Sequence, residues 1–177
     1  MKDTLVPGLV RELRFTVTPS KTVPALYPES PGFRAMPEVF ATGFLVGFLE
    51  WACVELIAPH LDEGEQSLGT QIAVSHEAAT PPGFEVVAKA KLVGIEGRRL
   101  RFEVETRDGV DLVSRGTHER AVILRSKFDA RLAEKASRGA GALSATCGAS
   151  WPGNSPPCAG RWRPTPTTRA SGRRCRA

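Results

Sequence analysis

The sequence predicts an α+β fold in which an antiparallel five-stranded sheet wraps around one long central helix. Three observations carry this expectation. Residues 37–58 form a single long run that is apolar on nearly every side. Four segments after it alternate apolar and polar residues, the pattern of strands with one buried face. The turns between them are short, and short turns force antiparallel pairing because a parallel return requires a crossover.

The first strand is read over residues 9–18, where Leu9, Leu13, Phe15 and Val17 share one face and Glu12, Arg14 and Thr16 the other. A proline-containing stretch follows, with LYPESP at 26–31, and reads as loop with at most a short helical turn. Pro37 and Glu38 are expected to open the long helix. Proline suits a first turn, and an acid suits the positive end of the helix dipole. Pro59 should stop it near Ala58. The next strand, 67–80, sets Leu68, Thr70, Ile72, Val74 and His76 on one face if alternation is strict. Residues 84–93 do the same with Phe84, Val86, Ala88, Ala90 and Leu92, and residues 99–107 with Leu100, Phe102 and Val104. Asp108-Gly109 signals a hairpin. The last strand is read over 110–124, with an irregularity expected where Val122, Ile123 and Leu124 run together, and a short helix closes the domain at 128–135.

One apolar face per strand means that the sheet needs one cover, and only the 38–58 helix can supply it. Because that helix has no polar face, it should be buried on most sides. Gly43 and Gly47 permit close backbone approach. This is the hotdog arrangement. A single copy leaves one sheet edge and part of the helix uncovered, so a homodimer with a continuous sheet is expected.

Composition narrows the function. The 177 residues, 41% hydrophobic, suit one domain with a real core. The net charge of +5 is uneven: residues 1–135 hold 17 Lys and Arg against 19 Asp and Glu, whereas residues 136–177 hold 7 Arg and no acid. The body therefore gives no sign of a nucleic-acid partner. The apolar stretch 39–49, followed by Glu50 and Glu55, falls short of the roughly 18 uncharged residues of a membrane span. The reading is a soluble, cytoplasmic protein with no membrane partner. Residues 1–135 are taken as the domain. Residues 136–177, rich in Gly, Ala, Ser, Pro and Arg, are taken as a disordered basic tail. That tail is either a natural extension or the product of a shifted reading frame in GC-rich DNA, and its abrupt change of composition favours the second.

Glu50 is the most informative single residue, a carboxylate in FLVGFLEWACV that is costly unless paired or hydrogen-bonded. A functional acid and a structural ion pair fit the pattern about equally. His76, by alternation, faces the helix and so can meet Glu50, though a core histidine bonded to backbone fits as well. Thr42, two turns before Glu50, carries no signal alone. Arg120, on the apolar-parity face in GTHER, is a buried ion-pair partner or a substrate contact, and His118 beside it is a weaker candidate. Three histidines without ligand spacing argue against a metal, and no cofactor motif is present. Cys53 fits a small core residue better than a nucleophile.

The segments LYPESP (26–31), PEVFATGFLVGFLEWACV (37–54), SLGT (67–70), SHEAATPPG (75–83) and DGVDLVSRGTHERAVI (108–123) together resemble the fluoroacetyl-CoA thioesterase family. The likeness covers about residues 1–135. It implies a homodimeric hotdog hydrolase that cleaves fluoroacetyl-CoA to fluoroacetate and CoA, a detoxification, without a cofactor. It implies Thr42, Glu50 and His76 as the catalytic set. It also implies Gly69 (through its N–H), Arg120 and Phe33 as substrate contacts, and Met36 at a lid position where the family has phenylalanine. A thioesterase for another short acyl-CoA, and a non-catalytic acyl-CoA-binding hotdog module, are the competing readings.

Overall fold

A computed structural model describes residues 1–145. The elements are β1 (Val10–Thr16), α1 (Val23–Leu26), α2 (Pro31–Arg34), α3 (Thr42–Ile57), β2 (Glu65–Val74), β3 (Glu85–Glu96), β4 (Arg99–Arg107), β5 (Leu112–Leu124) and α4 (Arg125–Ala145). All pairings are antiparallel, and the five strands run in the order β1-β3-β4-β5-β2. The hotdog arrangement follows from what α3 covers. It packs on β1, β2, β3 and β4, and Leu45, Leu49, Ala52, Cys53 and Ile57 on its sheet side are fully buried against Val86, Ala88, Ala90, Leu92, Leu100 and Phe102. Each large side chain sealed there is worth about 1.5–3 kcal/mol. Phe15 of β1 meets Phe40 and Phe48 edge-on, at ring separations of 5.5 and 4.6 Å. By length and hydropathy the run Thr42–His60 is apolar enough to cross a membrane, but here it is the central core helix.

Four features differ from the sequence reading. The helix begins at Thr42, not at Pro37. The residues before it are spent on other pairings: Val39 O accepts from Val23 N at 3.0 Å, Phe40 N donates to Thr80 O at 2.8 Å, and Ala41 N donates to Lys21 O at 3.0 Å. Strict alternation also fails in β2. Its register against β5 shifts between Gly69 and Gln71, leaving Thr70 as the extra residue of a bulge. A one-residue slip exchanges faces. Before the bulge, Ser67 and Gly69 turn inward and Leu68 is exposed; after it, Ile72 shares the inward face of its partner His118. The irregularity in β5 falls opposite Thr106/Arg107, not at 122–124, where Val122 stays buried in step with Arg120 and His118. Helix α4 starts three residues earlier than expected and continues ten residues past 135. Its alanines, leucines, lysines and arginines are strong helix formers. The rest of the tail, 146–177, lies outside the described residues.

The Asp108-Gly109 hairpin is as expected, with Gly109 at φ 86°. Asp108 is only 8% exposed. Its Oδ1 accepts from Val110 N at 3.0 Å and Asp111 N at 2.8 Å, and its Oδ2 accepts from Thr80 Oγ1 at 2.9 Å. Burial opposes its charge, but these donors outweigh burial and hold the carboxyl below its usual 3.8. A depressed pKa gives stability that is full above the unfolded value and is lost as pH falls through the folded one. Asp108→Ala should therefore cost about 1–3 kcal/mol in urea unfolding at pH 7, and the gap to wild type should narrow below pH 3.8. A gap that widens on acidification would contradict this account of the turn.

Candidate active site

The seven sequence-chosen residues fall into three groups. Thr42 and His76 meet directly, with Oγ1 to Nδ1 at 2.8 Å. Thr42 is the first residue of α3, not a mid-helix threonine, so its hydroxyl points off the helix end towards the loop after β2. His76 sits in that loop, two residues beyond the strand. Its neighbours pin it: Ser75 N donates to Arg115 O at 3.0 Å and Glu77 N to Val113 O at 2.8 Å. The Phe40–Thr80 bond ties the same loop to the residues preceding α3. Thr42 and His76 line a shallow cleft of about 260 Å³ with Val23, Val39 and Phe40. His76 Nε2 is buried with no hydrogen-bond partner among the described residues.

The second group gathers around Glu50, whose side chain is 41% exposed, with Oε1 lying 3.8 Å from Arg120 Nη1 and 3.7 Å from His118 Nε2. The carboxylate is not sunk in the core. It stands on the open flank of α3, facing the inner surface of β2 and β5. Gly69 makes the approach possible, since a Cβ there would overlap Glu50 Oε1. Arg120, 5% exposed, is gripped by Ser67: Nε donates to Oγ at 2.9 Å and Nη2 to the carbonyl at 3.0 Å. Burial lowers the Arg120 pKa and the nearby Glu50 charge raises it. A guanidinium is basic enough to keep its charge at neutral pH all the same.

Phe33 and Met36 form the third group, in the short helical segment ahead of α3. Phe33 lies edge-on to Tyr27 at 5.2 Å, and Met36 is 49% exposed. Leu26 of α1 packs over Gly43, which sets this segment above the α3 N-terminus. Sequence reasoning ranked His118 low, yet the structure places it at the centre of the Glu50 group. Its in-register pairing with both Phe102 and Ile72 was the available signal, hidden by the bulge. Cys53 is fully buried and its thiol is pushed up to about 12 by burial, which removes it as a nucleophile at neutral pH. Among the described residues no three His, Cys, Asp or Glu side chains gather as a metal site requires.

Within one chain, then, the Thr42–His76 pair and the Glu50–Arg120–Gly69 group are separate. Eight residues of helix, about 12 Å of rise, divide Thr42 from Glu50.

A helix-filled antiparallel sheet with polar groups at the helix flank is the architecture of hotdog thioesterases. A thioesterase-superfamily protein from Thermus thermophilus superposes with TM-score 0.70 at 28% identity, covering 77% of this chain and 97% of its own. The finer likeness is to the family described as fluoroacetyl-CoA-specific thioesterase, whose model matches residues 17–126. A fluoroacetyl-CoA thioesterase from Streptantibioticus cattleyicolor is 55% identical over 139 residues, which is 78% of this chain and all of the relative. A variant of the fluoroacetyl-CoA-specific thioesterase solved with fluoroacetate and CoA is 56% identical, with TM-score 0.69, over 70% of this chain and 99% of that one. The chain belongs to the fluoroacetyl-CoA-specific thioesterase family.

Burial lowers the His76 pKa from 6.5, only partly offset by the Ala78 backbone. The ring is therefore neutral at pH 7, a base rather than an acid in the resting protein. An NMR titration should give a His76 midpoint below 6.5, and a midpoint above that value would contradict the burial argument.

Proposed function

We propose that this protein hydrolyses fluoroacetyl-CoA to fluoroacetate and CoA. It does so as a cytoplasmic homodimer, using Thr42, Glu50 and His76 for the chemistry and Gly69, Arg120, Phe33 and Met36 to shape the acyl site. The observation that carries this is the Glu50 carboxylate. It is partly exposed on a largely apolar helix, beside a buried cation and a glycine gap, in a chain of this family. Fluoroacetate is released from an activated thioester, so the role is detoxification. The cytoplasm is where CoA esters are made and used.

Thioester cleavage needs a nucleophile at the carbonyl and a proton balance around the departing thiolate. Glu50 serves either by attacking the carbonyl carbon, giving a mixed anhydride that water then opens, or by taking a proton from the attacking water. Neutral His76 accepts a proton through Nε2, the ring nitrogen left without a partner among the described residues. Thr42, bonded to Nδ1, holds the ring in place.

The distance between the two groups is bridged by pairing two chains. Gly47 has open space above it, and Trp51 and Val54 on the same flank are 49% and 38% exposed. Phe15, Phe44, Gly47, Phe48 and Trp51 line a groove of about 300 Å³ there. A two-fold axis crossing α3 near Val46 and Gly47 packs two helices antiparallel. Residue 42 of each then lies opposite residue 50 of the other, and each composite site takes the Thr42–His76 pair from one chain and Glu50, Arg120 and Gly69 from its partner. β2 is an edge strand, available to continue the sheet across that axis.

Glu50→Gln should remove nearly all thiol release while circular dichroism stays unchanged. Mixed one to one after joint refolding, Glu50→Gln and His76→Ala chains should recover about a quarter of wild-type activity, because half the dimers then carry one intact site of two. Activity surviving in Glu50→Gln would remove the carboxylate from the chemistry. No recovery on mixing would place both groups in one chain.

Fluorine is barely larger than hydrogen, so selectivity over acetyl-CoA comes from the C–F dipole. That dipole makes the carbonyl more electrophilic and is attracted to the Arg120 cation. Met36, flexible and half exposed, is a looser lid than phenylalanine, which favours wider acceptance of short acyl groups. In a panel of fluoroacetyl-, acetyl- and chloroacetyl-CoA, Met36→Phe should raise the fluoroacetyl-to-acetyl ratio of kcat/KM. An unchanged ratio would show that this position does not set selectivity.

A further inference from the structure

We propose that His118 is a positioning residue, locked in its neutral Nδ1–H tautomer, whose Nε2 holds Arg120 in the orientation that faces Glu50. The proposal rests on the assignment of Glu50 and Arg120 to the acyl site. His118 is 1% exposed, and both ring nitrogens are engaged. Nδ1 lies 2.7 Å from Gln71 O, and Nε2 lies 3.0 Å from Arg120 Nη1. A backbone carbonyl can only accept and a guanidinium can only donate. Nδ1 must therefore carry the hydrogen and Nε2 must be bare.

This assignment changes how the neighbouring contact is understood. The 3.7 Å approach of His118 Nε2 to Glu50 Oε1 is not an ion pair, because the ring is uncharged. Arg120 is the cation that Glu50 sees. The bulge at Thr70 lies directly before the Gln71 carbonyl that fixes the tautomer, and the Phe102 ring lies against the imidazole at 6.3 Å between centroids. The titratable groups facing His118 are Arg120 on its own strand and Glu50 on α3, with Cys53 close to both. Burial and Arg120 favour the neutral ring; the Gln71 carbonyl and Glu50 oppose it, and burial dominates. Ser67 holds Nε and Nη2 of Arg120 from one side. His118 holds Nη1 from the other, so the guanidinium cannot swing away from the carboxylate.

Two measurements test this on the full chain. In a 15N-histidine-labelled sample, His118 should show the Nδ1–H tautomer unchanged between pH 7 and 8. An Nε2–H signal, or titration in that range, would overturn the proposal. This readout needs no catalysis, so it stands even if fluoroacetyl-CoA proves not to be the substrate. Failure of thiol release with an intact tautomer would count against the functional reading alone. In kinetics, His118→Asn keeps a donor for Gln71 but removes the acceptor for Arg120, and should lower kcat/KM about tenfold. His118→Gln, which restores an acceptor at the Nε2 position, should stay within about threefold. In an Arg120→Lys background the Asn substitution should add less than about twofold, because its effect runs through Arg120. Equal losses for Asn and Gln, or additive losses with Arg120→Lys, would show a merely structural histidine.

Discussion

The structure turns on how the sheet meets Glu50, the carboxylate that the largely apolar α3 directs at it. Glu50 projects from α3 towards β2 and β5, where a side chain on β2 would collide with it and a neutral lining would leave it unpaired. Gly69 supplies the space and Arg120 the opposite charge. Neither works without the bulge at Thr70. The bulge lets Ser67 and Gly69 face inward before it and Ile72 after it, opposite the inward-facing Arg120 and His118. A regular β2 would present Leu68 and Thr70 to Glu50 instead. It would also turn the Ser67 hydroxyl away from Arg120, leaving a buried guanidinium short of acceptors, a cost of several kcal/mol.

The opposite end of α3 is set by a different constraint. Phe40 is fully buried and its N–H is committed to Thr80, so the helix cannot begin earlier. That fixes Thr42 as the first helical residue. The same bond draws the 75–80 loop alongside, and His76 arrives against the Thr42 hydroxyl. A helix starting at Pro37 would bury the threonine hydroxyl in its own backbone. The polar pair at the N-terminus and the polar group eight residues on are thus placed independently, one by the Phe40–Thr80 backbone bond and the other by the bulge at Thr70.

The fold was legible in the sequence because its main determinants are local. Period-two patterns over β3 and β4, Asp108-Gly109 and the continuous apolar run of α3 each point to one structure. The errors came where long-range pairing overrides local preference. Pro37-Glu38 is a sound helix opening in isolation, but Val39, Phe40 and Ala41 pair elsewhere. Alternation through β2 assumes no bulge, and nothing in SLGTQ announces one except Gly69. For the site, Glu50 stood out because a carboxylate among apolar neighbours is costly. Thr42 and His76 were identified by family likeness more than by pattern. His118 was undervalued because its in-register partners depend on the bulge. Alternation also suggested that Glu50 and His76 converge inside one chain. They do not, because β2 ends before His76 and the loop turns that side chain to the helix N-terminus.

The same flank of α3 has two tasks to reconcile. Gly47, Trp51 and Val54 are too apolar to remain against water without cost, whereas the proposed catalytic residues Thr42 and Glu50 at either end would be useful only if water were admitted in a controlled way. The proposed antiparallel pairing of two such flanks would meet both demands at once. The apolar middle would seal against itself, and the polar ends, brought opposite each other, would become two small cavities walled by that seal. Catalytic competence would then be tied to association. A substitution at Gly47 that propped the helices apart would separate the paired groups at both ends together, although it touches neither. On that proposal the glycine matters for the distance between helices, not for its backbone angles. It is helical, and a Cβ at that position meets nothing within 4 Å in the single chain.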